Sequence, residues 1–565
     1  MKRILECVPN ISEGKDKAKI DAIANEVTKV EGVKLLNVDP GRATNRTVIT
    51  FAGEPEKVVE AAFLLIKKAA ELIDMSKHHG EHPRMGATDV CPLVPISGIT
   101  MEETVELARK LGKRVGEELG IPVYLYEYAA TEEKRRNLAN CRAGEYEGLK
   151  DKLKDPQWKP DFGPAEFNNR VKTTGATAIG ARDFLIAYNV NLNTTSVRRA
   201  NSVAFDIREK GRVKREGDPV TGKIVVDENN QPVYIPGSLK AVKAIGWYIE
   251  EYGIAQVSMN LTDINVTPLH IAFDECCKRA EARGLRVTGS EIVGLVPKKA
   301  LVEAGRYFLK KQNRSTGVGE EELIRIAILT MGLNELSPFD PKKRIIEYLL
   351  EEDDGKKLID LSVKDFLKET ASESPAPGGG SISALCGSLG AALATMVANL
   401  SSHKRGWDHR VEEFSVWAEK GQELLAKFNQ LIDEDTRAFN KIMDAYGLPK
   451  RNEEELQNRK QAIEEDTIYA AKVPLETMKN SFKALEVVEY VAKEGMESSV
   501  SDAGVAALCL RSAMEGAYLN VKINLKGLPG NSEAQKILQE AEELREKMLL
   551  RIEECLKIVN AKIHK

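Results

Sequence analysis

A chain of 565 residues is too long for one core, since hydrophobic cores stop growing at roughly 250–300 residues and chains then divide into domains. With 42% hydrophobic and 30% charged residues, the composition is that of a folded globular protein and excludes a disordered one. A net charge of −4 excludes the broad basic field used for nucleic acid, so no nucleic-acid partner is expected and an acidic ligand must be met by local arginines and helix ends.

Along the first part of the chain, short β-branched runs alternate with helical patterns. Strands are expected at 33–39, 46–51, 89–94 and 122–126, and helices at 55–72 and 100–119, where apolar positions recur three and four apart. A Pro/Gly-rich polar stretch at 155–175 reads as a joint. A second round follows, with apolar runs at 184–192 and 256–261, a helix at 268–283, and a hairpin at 218–236 tipped by Asn229-Asn230. Past 302 the pattern changes: 310–322 is polar, 323–333 is apolar, Pro338 and Pro341 break the chain, and 351–357 is a charge cluster. A linker is therefore expected at 336–360, with a wholly helical region beyond it.

In that region Ser532-x-x-Gln535 reads as a capping box, and Ile537, Ala541, Leu544, Met548, Ile552 and Val559 keep a helical stripe. The uncharged stretch 381–402 is long enough to span a membrane. Its Ser, Gly, Ala and Asn content gains little in lipid, so a close-packed internal helix and no membrane partner are expected. The eight cysteines stand at 7, 91, 141, 276, 277, 386, 509 and 555, with no CxxC pair. That scatter suggests buried thiols in a reducing compartment. The N-terminus lacks a signal-peptide apolar run, and a cytoplasmic protein is expected.

The segment His78-His79-Gly80-Glu81-His82-Pro83-Arg84-Met85-Gly86-Ala87 carries three of the seven histidines. Gly80 and Pro83 rule out a regular helix, so the HxxxH spacing is not the helical metal site of a metalloprotease. Three readings stand at this point: a loop metal site built on His with a nearby carboxylate, a solvated loop, and a catalytic histidine that takes a proton near neutral pH. Upstream, Val38-Asp39-Pro40-Gly41-Arg42-Ala43-Thr44-Asn45-Arg46 ends one strand and opens the next. Arg42, Arg46 and Arg84 together can hold a dicarboxylate, because planar guanidinium forks match carboxylate geometry; the plainer reading is surface arginines.

The opening Glu6-Cys7-Val8-Pro9-Asn10-Ile11-Ser12-Glu13-Gly14, the Asp-Pro-Gly turn and the His-Pro-Arg-Met-Gly loop resemble the glutamate formimidoyltransferase family. So do Gly180-Ala181-Arg182-Asp183-Phe184, Pro236-Gly237-Ser238-Leu239-Lys240 and Glu291-Ile292-Val293-Gly294-Leu295-Val296-Pro297. The resemblance implies transfer of a formimino group from N-formimino-L-glutamate to N5 of tetrahydrofolate, with His82 as proton acceptor. It implies orienting or carboxylate-binding roles for Asp39, Arg42, Arg46, Glu81 and Arg84. The family's folate-binding segment falls on Gly163-Pro164-Ala165-Glu166-Phe167-Asn168-Asn169-Arg170-Val171-Lys172-Thr173-Thr174-Gly175, where Arg170 and Lys172 suit an acidic folate tail.

Pro375-Ala376-Pro377-Gly378-Gly379-Gly380-Ser381 precedes the uncharged helix. Glycines at a helix start let backbone N–H groups approach an anion, although a flexible interdomain joint fits the same residues and no Walker lysine is present. Asp433-Glu434-Asp435-Thr436-Arg437-Ala438-Phe439 places three acids beside apolar positions. A solvated acidic face is one reading; a partly shielded carboxyl that holds a proton near neutrality is the other. With Lys472-Val473-Pro474-Leu475, Ser501-Asp502-Ala503-Gly504-Val505 and Gly516-Ala517-Tyr518-Leu519-Asn520-Val521, this half resembles the formimidoyltetrahydrofolate cyclodeaminase family. Gly495-Met496-Glu497 stands where that family shows Gly-Asn.

The resemblance implies that Asp435 donates a proton to departing ammonia, with Asp433 as fallback, and that Gly378, Gly379, Gly380, Ser381, Asp433 and Asp502 belong to the folate site. The product is 5,10-methenyltetrahydrofolate; no metal and no redox cofactor is implied, and the co-substrate is polyglutamylated tetrahydrofolate. The expected architecture is an α+β transferase part of two ferredoxin-like α/β subdomains, 1–178 and 179–335, then the linker at 336–360 and an all-α helical bundle at 361–565. A dimer-based homo-oligomer is expected. Three alternatives remain at this level: a methenyltetrahydrofolate cyclohydrolase in the second half, N-formyl donors in the first, and a non-catalytic folate-binding protein.

Overall fold

The computed structural model describes residues 3–41, 45–79, 83–218, 221–350 and 357–564. It divides into two compact units, Met1–Ala304 with Ile328–Glu351, and Gly305–Ala327 with Glu352–Lys565.

In the first unit a seven-stranded sheet contains β1 (Ile4–Cys7), β2 (Asn10–Ile11), β3 (Val33–Gly41), β4 (Arg46–Gly53), β5 (Thr88–Ser97), β6 (Val123–Glu127) and β7 (Thr177–Ala181). Its oldest-numbered part runs strand, helix Lys17–Ala24, β3, β4, helix α1 (Pro55–Leu72), β5, with β4 between β3 and β1 and with β1 also on β5. That is the βαββαβ path of a ferredoxin-like layer. Helix α2 (Met101–Leu119) then leads to β6, and β7 joins β5 and β6 in parallel. Helix α1 starts on Pro55 at its first turn, where the missing N–H costs nothing. Helix α2 has a full capping box from Thr100 and Glu103 and stops at Gly120 in the left-handed region.

Alternation along the strands decides what each face carries. Leu5, Cys7, Ile11, Ile49, Phe51 and Leu93 are buried in one core with Val58, Leu65, Leu111 and Val115 of the helices. Glu6, Asn10 and Arg46 occupy the alternate positions and look away from that core. Cys7 and Cys91 meet inside it as free thiols, their Sγ atoms 3.5 Å apart.

The second sheet follows with β8 (Ile186–Leu192), the two-residue strands β9 (Arg212–Val213) and β10 (Tyr234–Ile235), then β11 (Val242–Ile249), β12 (Ile254–Leu261) and β13 (Val287–Val293). Strands β11, β12, β8 and β13 lie side by side, all antiparallel. Helix α3 (Val197–Ile207) and helix α4 (Leu269–Glu281) complete a second βαββαβ path. The expected hairpin is the ribbon closed by β9 and β10, with Asn230 at φ 61 near its tip.

The second unit is helical: α5 (Gly379–Ser402), α6 (Val411–Gly447), α7 (Glu453–Glu494), α8 (Val500–Leu525) and α9 (Ser532–Ile563). Helix α5 runs through its centre, with Ala391, Ala394, Val397 and Ala398 in the core beside Phe414, Phe428 and Leu510. Small residues permit this closeness: a Cβ on Gly390 would come within 2.8 Å of Leu510. Among the described residues α5 is the one helix long and apolar enough to cross a membrane, and 61% of its most apolar window is buried inside the structure.

Several sequence expectations are corrected. A boundary at 178 falls inside β7, which pairs along its length with β5 and β6. Residues 305–327, expected in the second subdomain, pack in the helical unit, where Ser315 donates to Asn399 at 2.6 Å and Asn399 donates to the Gly317 carbonyl at 2.8 Å. Much of the expected linker is structured: Ile345 and Ile346 are fully buried, and Ile345 bridges to Val296. The cap of α9 is Asn531, whose side chain accepts from Glu533 and Ala534, while Gln535 turns back to the Pro529 carbonyl. Asparagine reaches two orphan N–H groups there, which Ser532 one residue later cannot.

Candidate active sites

Within the first unit, a cavity of about 500 Å³ opens on the sheet face opposite α1 and α2. Asn10, Arg46, Tyr126, Arg142 and Arg182 come to it from the first sheet and its loops, and Lys243, Thr262 and Asp263 from the second. Its walls hold five basic side chains, Arg46, Arg136, Arg142, Arg182 and Lys243, against the acids Glu127, Asp183 and Asp263. Burial raises the carboxyl pKa of both Glu127 and Asp183, which favours their neutral forms and leaves the wall more cationic. Such a cleft attracts a polyanion.

Within the histidine-rich loop, His82 and Glu81 lie outside the described residues, as does Arg42. Its ends are held firmly. His78 is buried; its Nε2 lies 3.0 Å from the Asn45 carbonyl, and Arg84 Nε donates to its Nδ1 at 3.3 Å. With Nδ1 accepting, Nε2 carries the proton, and burial together with Arg84 lowers the pKa. His78 is therefore a neutral structural histidine. Arg84 is only 7% exposed and reaches Glu147 at 2.6 Å and Glu145 at 2.9 Å. It is engaged by protein carboxylates and lines a separate open hollow with His79 and Gly144, not this cavity.

Asp39 also falls elsewhere, exposed on the edge strand β3 opposite Val48. Arg46 does line the cavity, held by Asn10 at 2.6 Å and 2.9 Å. The stretch 163–175 contributes none of the cavity's lining residues. Its last turn, helix Asn169–Thr174, is stitched to the loop's far end, since Ala87 donates to the Thr174 carbonyl at 2.7 Å and Gly86 bridges to Gly175. Arg170 donates to the Leu119 and Ala70 carbonyls. A guanidinium that satisfies the carbonyl ends of two helices is not free for a folate tail; Lys172 is exposed.

Glu6 lies on the cavity side of the sheet behind Arg182. Burial raises its carboxyl from 4.5 to about 7, with Arg182 opposing the shift. The folded pKa is above the unfolded one, so the fold favours the protonated form. That stabilisation is complete below 4.5 and lost as the pH rises to about 7. Glu6→Gln is expected to stabilise the first unit at pH 8 by up to roughly 3 kcal/mol and to do nothing at pH 4. Equal shifts of the melting transition at both pH values would refute this account.

In the second unit the glycine run opens α5, and its first turn meets α6. Ser381 donates its backbone N–H to Asp435 Oδ2 at 2.8 Å, and its hydroxyl lies 3.2 Å from the same oxygen. A side chain on Gly380 would overlap the Asp435 carboxylate, so only glycine lets the acid sit over the helix start. Burial raises the Asp435 pKa, opposed by the Ser381 hydrogen bonds. Asn520 of α8 lies against Gly379 and, with Leu519, Lys522, Ile523 and Lys526, lines an open hollow. The arrangement is a half-shielded carboxyl that accepts a backbone N–H at the helix start.

Two expected members are absent from this cluster. Asp433 turns away and accepts the Leu358 N–H at 2.6 Å, because residues two apart do not share a helix face. Asp502 is in the first turn of α8, 18 positions before Asn520 and so roughly 27 Å along the axis. Sequence reasoning missed Arg142 and Lys243 as cavity residues; Arg142 stands in no motif, whereas Arg182 was in one and its side chain's place was the missing part. Among the described residues, no three His, Cys, Asp or Glu side chains converge as metal ligands.

Comparison with known proteins covers nearly the whole chain. Residues 4–182 match the formiminotransferase domain, N-terminal subdomain, residues 187–351 the formiminotransferase domain, and residues 362–543 formiminotransferase-cyclodeaminase. A mouse formimidoyltransferase-cyclodeaminase is 44% identical over 94% of this chain and 93% of its own length. A glutamate formimidoyltransferase of Streptococcus pyogenes is 42% identical, covering 55% of this chain and 95% of its own. A methenyltetrahydrofolate cyclohydrolase of Methylorubrum extorquens is 37% identical over 32% of this chain and 88% of its own.

Proposed function

The chain belongs to the formiminotransferase-cyclodeaminase family, and from that premise we propose how its two units divide a folate reaction. The first moves the formimino group of N-formimino-L-glutamate to N5 of tetrahydrofolate. N5 attacks the formimino carbon, His82 takes the N5 proton, a proton is returned to the donor's own nitrogen, and glutamate leaves as the free amine. The second closes the ring: N10 attacks the same carbon, Asp435 protonates the amino nitrogen, and ammonia departs to give 5,10-methenyltetrahydrofolate. Amide ion cannot leave in water, so a placed acid is required.

The observation that carries this reading is the Asp435–Ser381 contact, a carboxyl with a raised pKa seated on a glycine-led helix start. The polycationic cavity supports the transfer half, since holding two anionic reactants together supplies much of a bimolecular rate. The co-substrate is polyglutamylated tetrahydrofolate, whose charge suits that cavity. The protein works as a dimer-based homo-oligomer; exposed Leu389, Leu400, Val505, Leu519 and Ile523 on α5 and α8 support this. Eight free cysteines suit the cytoplasm.

The test supplies N-formimino-L-glutamate and tetrahydrofolate and follows ammonia and methenyl-folate absorbance together. One ammonia per methenyl group is expected, with N-formyl-L-glutamate a poor donor. Preferred turnover of the formyl donor, or loss of added methenyltetrahydrofolate without ammonia formation, would replace this reading with a formyltransferase or a cyclohydrolase.

A further inference from the structure

The segment 79–83, which carries His82, is tied at both of its ends, and one side chain joins the two ties. His78 is buried, with Nε2 3.0 Å from the Asn45 carbonyl and Nδ1 accepting from Arg84 Nε at 3.3 Å. Asn45 stands in the left-handed region at φ 50, a conformation that asparagine adopts more readily than most residues. Its Nδ2 donates to the His79 carbonyl at 2.8 Å, and its Oδ1 accepts the Gly14 N–H at 3.0 Å. On the other side, Arg84 spends its remaining donors on helix Glu145–Lys152. It meets Glu147 in a fork at 2.6 Å and 3.0 Å and Glu145 at 2.9 Å, while its carbonyl accepts the Tyr146 N–H at 2.9 Å. A bidentate pair fixes the plane of the guanidinium as well as its place. The imidazole thus completes a chain of contacts from Gly14 through Asn45, His78 and Arg84 to Glu147.

That chain holds for one protonation state. A neutral imidazole offers one donor and one acceptor, and each meets its match: Nε2–H faces a carbonyl, and the Nδ1 lone pair faces a guanidinium N–H. A second proton would sit on Nδ1 and set donor against donor and cation against cation at Arg84. Burial, with Arg84 and His79, lowers the pKa against the opposing pull of the Asn45 carbonyl and Glu13, so the neutral form is favoured. We propose that neutral His78 is a positioning residue for formimino transfer, joining Asn45 to Arg84 and so holding both ends of the segment that carries the proton acceptor. The assignment rests on the transferase reading above, in which His82 takes the N5 proton. It separates two near neighbours in sequence: His82 titrates as the base, whereas His78 acts through Arg84 and only while uncharged. It also gives Glu147, which stands in no motif, a part in transfer.

The test uses the full chain and follows glutamate release from formimino-glutamate and tetrahydrofolate, across pH, for wild type, His78→Phe and His78→Gln. Ammonia release from supplied 5-formimino-tetrahydrofolate is the control. His78→Phe fills the space without either hydrogen bond. It is expected to lower kcat for transfer by about 10- to 100-fold, the usual cost of a reacting group misplaced by about 1 Å, with the KM of neither substrate changed. His78→Gln, whose amide carries a donor and an acceptor but does not titrate, keeps most of the rate near neutral pH. Its acid limb is shallower than that of wild type by one proton, since one of the two histidines no longer titrates. An unchanged kcat in His78→Phe overturns the assignment, as does a loss confined to KM or the same acid limb in wild type and His78→Gln. If His78→Phe also loses ammonia release, that variant has misfolded and the His78→Gln profile decides. Should wild type transfer no formimino group, the transferase reading falls, and amide exchange across 84–87 judges the network alone: faster exchange in His78→Phe supports it, and equal exchange overturns it.

Discussion

Asp435→Asn is expected to lower ammonia release by about 100- to 10,000-fold, the usual range for a lost general acid, while formimino transfer continues. 5-Formimino-tetrahydrofolate should accumulate and methenyl absorbance should not rise. Asparagine keeps the shape and an oxygen to accept the Ser381 N–H, so the first turn of α5 is retained and only the proton is removed. The wild-type pH profile carries the same signature. Burial raises the Asp435 pKa, so its acid form persists to higher pH than an ordinary carboxyl, and the rate of ammonia release falls as the pH rises through that value. In Asp435→Asn this limb should vanish. A variant that keeps the wild-type rate and limb would move the acid role to another group.

His82→Ala should stop both products when formimino-glutamate and tetrahydrofolate are supplied, since the second step then has no substrate. The transfer rate itself is expected to fall by about 100- to 10,000-fold. Chemically prepared 5-formimino-tetrahydrofolate should restore ammonia release at the wild-type rate. An intact transfer rate would remove His82 from the mechanism. His78 is not a substitute base: its Nδ1 is occupied by Arg84 and its Nε2 by the Asn45 carbonyl, so it has no lone pair to offer a substrate.

Features written in consecutive residues were legible from the sequence. The strand periods around 33–39, 46–51 and 89–94, the helices at 55–72 and 100–119, and the change to an all-helical region reflect local propensity and spacing, and these elements are present. The two ferredoxin-like layers and the helical unit agree with the resemblance. Asp435 and the glycine run, distant in sequence, were both marked by their own motifs, and the structure brings them together.

What the tertiary structure decided is where long or charged side chains spend their contacts. Arg84 and Arg46 read alike in sequence, yet one is consumed by Glu145 and Glu147 while the other faces the cavity. Arg142 has no motif and becomes a cavity residue only because a short helix brings it over Asp89. Asp433 and Asp502 fit the acidic pattern, but helix geometry turns one away and puts the other at the far end of α8. The polar run near 315 enters the helical unit because Asn399 and Gln422 satisfy its backbone. Sequence period reports which face of an element is apolar; a guanidinium or carboxylate reaches several ångströms past that face. Its role is set by which opposite charge lies within reach, which depends on residues far along the chain.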